Sequence, residues 1–186
     1  MDLFEAIAAR RSIKQFADRP ITRDEIARLL DAAVQAPNHR MTQPWRFYVL
    51  GPEGRRAYGE VLGARKAKKV EDPEAARAVA GKVAAAESAL PGEIAVSMTL
   101  DENPEIREED YAATMMAVQN LMLAAHAMGL GTHLKTGAVM DDPRARAAVG
   151  VPEGQRIVAL IQLGEPAEVR EPKPRRAAAE VTTWVA

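Results

Sequence analysis

No cysteine occurs among the 186 residues of this chain. That absence excludes disulfides, thiolate-held metals, iron–sulfur clusters and thiol nucleophiles together, and it fits a cytoplasmic address. An excess of one charge is missing too. The 25 Lys and Arg residues stand against 26 Asp and Glu, a net charge of −1, so no single-signed field favours a nucleic-acid duplex or an anionic membrane. No Gly-x-Gly-x-x-Gly or Walker loop follows a strand-like run, so a dinucleotide fold has no support, and no Gly-x-Ser-x-Gly turn offers a serine nucleophile. The start, Met1-Asp2-Leu3-Phe4-Glu5, is acidic and amphipathic, unlike a signal peptide, and export is not expected. A chain of this size buries roughly 70% of its unfolded surface, and without repeats or low-complexity tracts residues 1–186 read as a single domain.

One long run lacks formal charge, from Tyr111 to Thr132. About 20 apolar residues can span a bilayer, but Gln119, Asn120 and His126 would sit near its middle without guaranteed partners. A soluble helix buried on nearly all faces is the better reading. In so small a domain such a helix packs one side on its own sheet and the other on another subunit, so a homodimer is expected.

Around that helix the pattern predicts a helix over Asp2–Ala9 and a second one opened by a Thr22–Glu25 capping box and ended by Pro37. A buried strand follows at Phe47–Leu50, then a largely solvated helical stretch over Glu53–Ala89. A strand at Ile94–Leu100 leads through an acidic loop, Asp101–Asp110, into the long helix, which Gly129-Leu130-Gly131 ends. A short strand at Thr132–Lys135, a helix opened by Asp142-Pro143, and a strand at Ile157–Leu163 complete the core. The tail from Gly164 carries Pro166, Pro172 and Pro174 and is expected to fray or to wrap a neighbour.

Two polar clusters carry the chemistry. Arg10-Arg11-Ser12, with Lys14 two residues on, closes the first helix and reads as a phosphate holder, since a guanidinium fork meets two phosphate oxygens at once. The alternative is that Arg10-Arg11 complements the helix macrodipole and that Lys14 is simply exposed. The second cluster runs Gln35-Ala36-Pro37-Asn38-His39 and then Gln43-Pro44-Trp45-Arg46, in which Trp45 suits core packing. His126 and His133 lack carboxylates at ligand spacing and read as satisfied core or interface histidines, so no metal is expected.

These motifs, taken in order with the Gly129-Leu130-Gly131-Thr132 turn and the Gly164-Glu165-Pro166 stretch with its basic tail, resemble the nitroreductase family of FMN-dependent NAD(P)H oxidoreductases. Asn38-His39-Arg40-Met41, where the common pattern has Ser-Ser-x-Asn, resembles the short YdjA-type branch. The resemblance implies an α+β three-layer sandwich, with a small, mostly antiparallel sheet flanked by helices. It further implies an intertwined homodimer with FMN at the interface and tails over 164–186 exchanged between subunits. It assigns Arg10 and Ser12 to the phosphate, Arg11 to the phosphate or the ring edge, and Lys14 to the pyrimidine edge of the flavin, where a buried charge-assisted hydrogen bond of roughly 1.5–3 kcal/mol would favour reduction. It assigns Gln35 and His39 to the flavin of the partner subunit, and Leu134, Lys135 and Thr136 to the flavin-contacting strand. Lys135 stands where an arginine is often found, and Lys173 and Arg175 resemble further phosphate contacts.

The expected activity is therefore electron transfer from NADH or NADPH through FMN to a small nitroaromatic, quinone or other conjugated acceptor, by a ping-pong scheme needing no catalytic side chain. The alternative is a flavin-binding or flavin-sequestering protein with little turnover.

Overall fold

The structure is a computed structural model and describes residues 2–185. The first helix, α1 (Leu3–Ala9), is opened by Asp2, which exchanges a capping box with Glu5, and Thr22 and Glu25 do the same for α2 (Arg23–Ala33). Then come β1 (Trp45–Val49), α3 (Pro52–Ala67), α4 (Pro73–Ser88) and β2 (Gly92–Thr99). The long helix α5 (Pro104–Ala127), β3 (Gly131–Lys135), α6 (Pro143–Ala148) and β4 (Gln155–Gly164) follow. Short 3-10 turns lie at Ala138–Asp141 and Ala178–Val181.

The four strands form one antiparallel sheet in the order β1-β2-β4-β3. Alternation decides its two faces. Ile94, Val96 and Met98 of β2 point to a core closed by Leu29 of α2 and by Ala117, Val118 and Leu121 of α5. Ala95 on the same strand points the other way, to Tyr58 and Leu62 of α3 and Ala145 of α6. A bulge opposite Val96 and Ser97 places both Val158 and Ala159 on the α5 side and returns Ile157 and Leu160 to the α3 side. The result is an α+β sandwich of three layers. Each fully buried Leu or Ile contributes on the order of 1.5–3 kcal/mol, so both faces hold the sheet in place.

Three expectations are corrected. The acidic loop is shorter than its charge implies: Asn103 caps and Pro104 opens α5, so Pro104–Asp110 is helix, a first-turn proline and acidic residues both suiting a helix N-terminus. The solvated stretch divides at Asp72-Pro73 into α3 and α4, and α3 is not solvated, since Tyr58 and Leu62 are buried. The helix predicted to end at Pro37 stops at Ala33, with Val34 as its cap. In the single chain α5 is buried along one stripe only. Tyr111 and Met116 remain about 40% exposed, and Gln119 is exposed beside them.

The edge of the sheet positions the site. β3 is an edge strand, and residues 12–13 cover its free side: Ser12 bridges Thr132 in parallel, and the Ile13 N–H donates to the Thr132 carbonyl at 2.9 Å. Gly131 permits this approach, because a Cβ there would lie 2.5 Å from the Ile13 side chain. The tail begins beside the same segment. Phe16 bridges Pro166, and the Ala17 and Ala167 N–H groups donate to the Glu165 and Gln15 carbonyls.

Candidate functional site

At the C-terminus of α1 the two arginines part company. The Arg11 guanidinium turns back and donates to the carbonyls of Ala8 at 2.6 Å and Arg10 at 2.9 Å, capping the helix as the macrodipole reading allowed. The Arg10 guanidinium has no carboxylate partner among the described residues. It lines a cleft of about 670 Å³ together with Arg11, Ser12, Lys14, Lys173 and Arg175, with Gln119 of α5 at the wall. Burial, then Arg11, then Arg175 push the Arg10 pKa down. Of the acidic residues only Glu171 lines this cleft, while Arg170 lies 3.9 Å from Glu168. An excess of positive charge over the single carboxylate of Glu171, with a hydroxyl among the cations and room for a ring system, fits a phosphate monoester on a larger ligand.

The second cluster lies elsewhere. Gln35 and His39 are exposed and do not line the Arg10 cleft. His39 Nδ1 lies 3.1 Å from Glu109 Oε1, and Arg40 donates to Glu109 Oε2 at 2.8 Å, which ties the loop to α5. An apolar recess of about 420 Å³ opens there between Pro37, His39, Ala112 and Met116. The loop's backbone is strained: Met41 and Gln43 hold φ of 51° and 44°, a region β-carbon residues seldom occupy. Asn38 accepts from the Gln43 N–H at 2.7 Å and braces the turn. Trp45 is buried in the α5-side core, as its packing role required.

On β3, Leu134 packs toward the α5-side core, and Thr136 is exposed just past the strand end. Lys135 is paired within the single chain. Its ammonium points to the other face of the sheet and pairs with Glu87 of α4 at 2.5 Å, so its charge is held away from the phosphate cleft. Around that pair lies a network that sequence reading missed. Gln162 donates to Glu87 at 2.8 Å, and His133 Nδ1 lies 3.2 Å from the Gln162 carbonyl oxygen. Glu93 is fully buried with neither carboxyl oxygen hydrogen-bonded, and burial, reinforced by Glu87, pushes it up to about 8. The Tyr58 hydroxyl is likewise buried, and its pKa is raised by burial and by both glutamates. The available signal was an acidic residue inside the β2 period, Glu93 sharing a face with Ala95.

Residues 7–165 match the model of the nitroreductase family. The chain belongs to the nitroreductase family. YfhC of Bacillus subtilis (strain 168), which carries the name of an NAD(P)H nitroreductase, is 35% identical over 174 residues, 93% of this chain and 89% of that one. YdjA of Escherichia coli (strain K12), similarly named, is 32% identical over 167 residues, 89% of each chain. A solved nitroreductase-like family protein from Bacillus cereus superposes with a TM-score of 0.86 at 28% identity, covering 100% of this chain and 96% of that one. The nitroreductase assignment suits the chemistry present. No helix among the described residues is long and apolar enough to cross a membrane, and no group of three or more His, Asp or Glu among them is placed to hold a metal.

Proposed function

We propose that this nitroreductase-family chain is an FMN-dependent NAD(P)H oxidoreductase. It passes electrons to nitroaromatic, quinone or related conjugated acceptors, donor leaving before acceptor enters. The observation that carries the reading is the cleft beside the covered edge of β3, where cations outnumber the one carboxylate of Glu171. YfhC and YdjA, both named as NAD(P)H nitroreductases, support the donor and the reaction class.

When bound, FMN supplies hydride acceptance from the nicotinamide and electron delivery to an acceptor over the same ring face. The chain's own residues bind and tune. Arg10 offers its free fork and Ser12 its hydroxyl to the phosphate, Lys173 and Arg175 add charge, and Arg11 fixes the end of α1 that carries them. Lys14 would stand by the pyrimidine edge. Leu134 to Thr136, which lie outside the Arg10 cleft of the single chain, would offer strand backbone to the ring, and Lys135 anchors that strand from its other face through Glu87.

Gln35 and His39 lie outside the Arg10 cleft, so their assignment calls for a second copy of the chain to bring them to the flavin. The exposed stripe of α5 at Tyr111 and Met116, with Leu3, Phe4 and Ile7 of α1, offers the apolar surface for that homodimer, over which the 164–186 tails would exchange. The absence of cysteine fits action in the cytoplasm.

Purified protein titrated with FMN should quench flavin fluorescence and sediment as a dimer. Anaerobic NADH or NADPH should then bleach the oxidised flavin absorbance within the mixing time of a turnover assay. Binding without bleaching would favour a flavin-sequestering protein, and no binding would overturn the cofactor itself.

A further inference from the structure

Six cations line the Arg10 cleft, and among them stands one carboxylate, Glu171. A negative side chain repels a phosphate, so its place there needs a second reason. It does not neutralise a neighbour. Glu171 forms no ion pair among the described residues: Arg170 lies toward Glu168 at 3.9 Å, and Arg175 donates to the carbonyls of Lys173 at 3.2 Å and Pro174 at 3.4 Å. From α5 the same cleft receives Gln119, whose exposed amide likewise has no protein partner among the described residues.

Donors and acceptors are unevenly supplied in this cleft. Guanidinium and ammonium groups only donate, which suits a phosphate monoester, whose oxygens accept. A hydroxyl must also give its own proton away, and no cation can take it. Ser12 has a single proton, and the phosphate takes it. Gln119 Oε1 and the Glu171 carboxylate are then the free side-chain acceptors of the cleft. The Gln119 amide offers N–H donors as well, so it can accept from one hydroxyl and donate to the next. Two acceptors, one on α5 and one on the tail, among donors for a phosphate fit a polyhydroxylated chain that ends in a phosphate monoester.

We propose that Gln119 and Glu171 bind the ribityl hydroxyls of FMN and let the cleft tell a phosphorylated polyol from a bare alkyl phosphate. This rests on the FMN reading above and adds two residues to it. The tasks divide by chemistry. Arg10 and Ser12 donate to the phosphate, while Gln119 and Glu171 take the protons of the hydroxyls between phosphate and ring. Glu171 weakens the hold on the phosphate by repulsion and regains it at the hydroxyls, because a hydrogen bond to an ionised carboxylate is about twice as strong as a neutral one.

Two ligands test this by flavin fluorescence quenching: FMN, and an analogue in which a phosphorylated pentyl chain without hydroxyls replaces ribityl phosphate. Wild-type protein should prefer FMN by about tenfold or more. Gln119→Leu should weaken FMN about tenfold and leave the analogue within about twofold. Glu171→Leu and Glu171→Gln both remove the charge, so both should tighten the analogue alike. Only Glu171→Gln keeps an acceptor, and it should bind FMN about tenfold more tightly than Glu171→Leu. Both side chains are exposed, so FMN-free melts of all three variants should match wild type. FMN affinity unchanged by Gln119→Leu, or lowered equally for both ligands, overturns the role of Gln119. Equal FMN affinity in the two Glu171 variants overturns the role of Glu171. Wild-type protein that binds FMN and the analogue equally well overturns hydroxyl recognition alone, whereas protein that takes up neither overturns the cofactor reading with it.

Discussion

Arg10→Gln separates binding from folding. In the folded chain this guanidinium is partly buried, has no acidic partner among the described residues, and is opposed by Arg11 and Arg175. Removing it takes away a charge-assisted, bidentate contact to phosphate worth about 1.5–3 kcal/mol, which at about 1.4 kcal/mol per decade weakens FMN binding roughly 10- to 150-fold. The same change relieves like-charge repulsion, so the FMN-free protein should melt no lower than wild type. Fluorescence-quenching titrations at two salt concentrations, paired with thermal melts without FMN, measure both. The wild-type affinity should fall with added salt, and the variant's less steeply. An affinity unchanged by Arg10→Gln, or a loss matched by a lower melting temperature without FMN, would refute the phosphate role and leave Arg10 as a structural residue.

Gly131→Ala should cost about 1–3 kcal/mol of stability in a denaturant melt and weaken FMN uptake as well, because the added Cβ meets Ile13 at 2.5 Å and drives residues 12–13 off β3. Lys135→Met should do the reverse of Arg10→Gln: chemical denaturation should show a loss of a few kcal/mol from stranding buried Glu87, while FMN affinity stays within about threefold. Glu93, raised from 4.5 to about 8, binds more protons folded than unfolded, so its contribution is full below 4.5 and drains away as pH rises to 8. Glu93→Gln should therefore melt higher than wild type at pH 8 and above, with the difference shrinking toward pH 5; a constant difference across that range would contradict a neutral buried acid.

Local chemistry made much of this protein legible. Capping pairs such as Asp2–Glu5 and Thr22–Glu25, first-turn prolines, and the strict alternation of β2 act over a few residues and need no tertiary partner to be read. The Arg10-Arg11-Ser12-x-Lys14 cluster was visible for the same reason, charge and spacing lying together on one short segment. Single residues were less readable. Arg10 and Arg11 look equivalent in sequence and both line the cleft, yet the Arg11 fork caps α1 while the Arg10 fork stays free, because only the path of the chain after the helix decides which fork faces outward.

Sequence alone determined the family, the element order and the presence of a cation-rich segment, since these depend on periodicity and on neighbours within a turn or two. Tertiary structure decided what those residues touch. It laid residues 12–13 on the edge of β3, brought Lys173 and Arg175 back from the far end of the chain, and turned Lys135 to Glu87. It also buried Glu93 and joined His133 to Gln162. Contacts between residues tens of positions apart arise from sheet register and layer packing, and no local pattern encodes which side chains those will bring face to face.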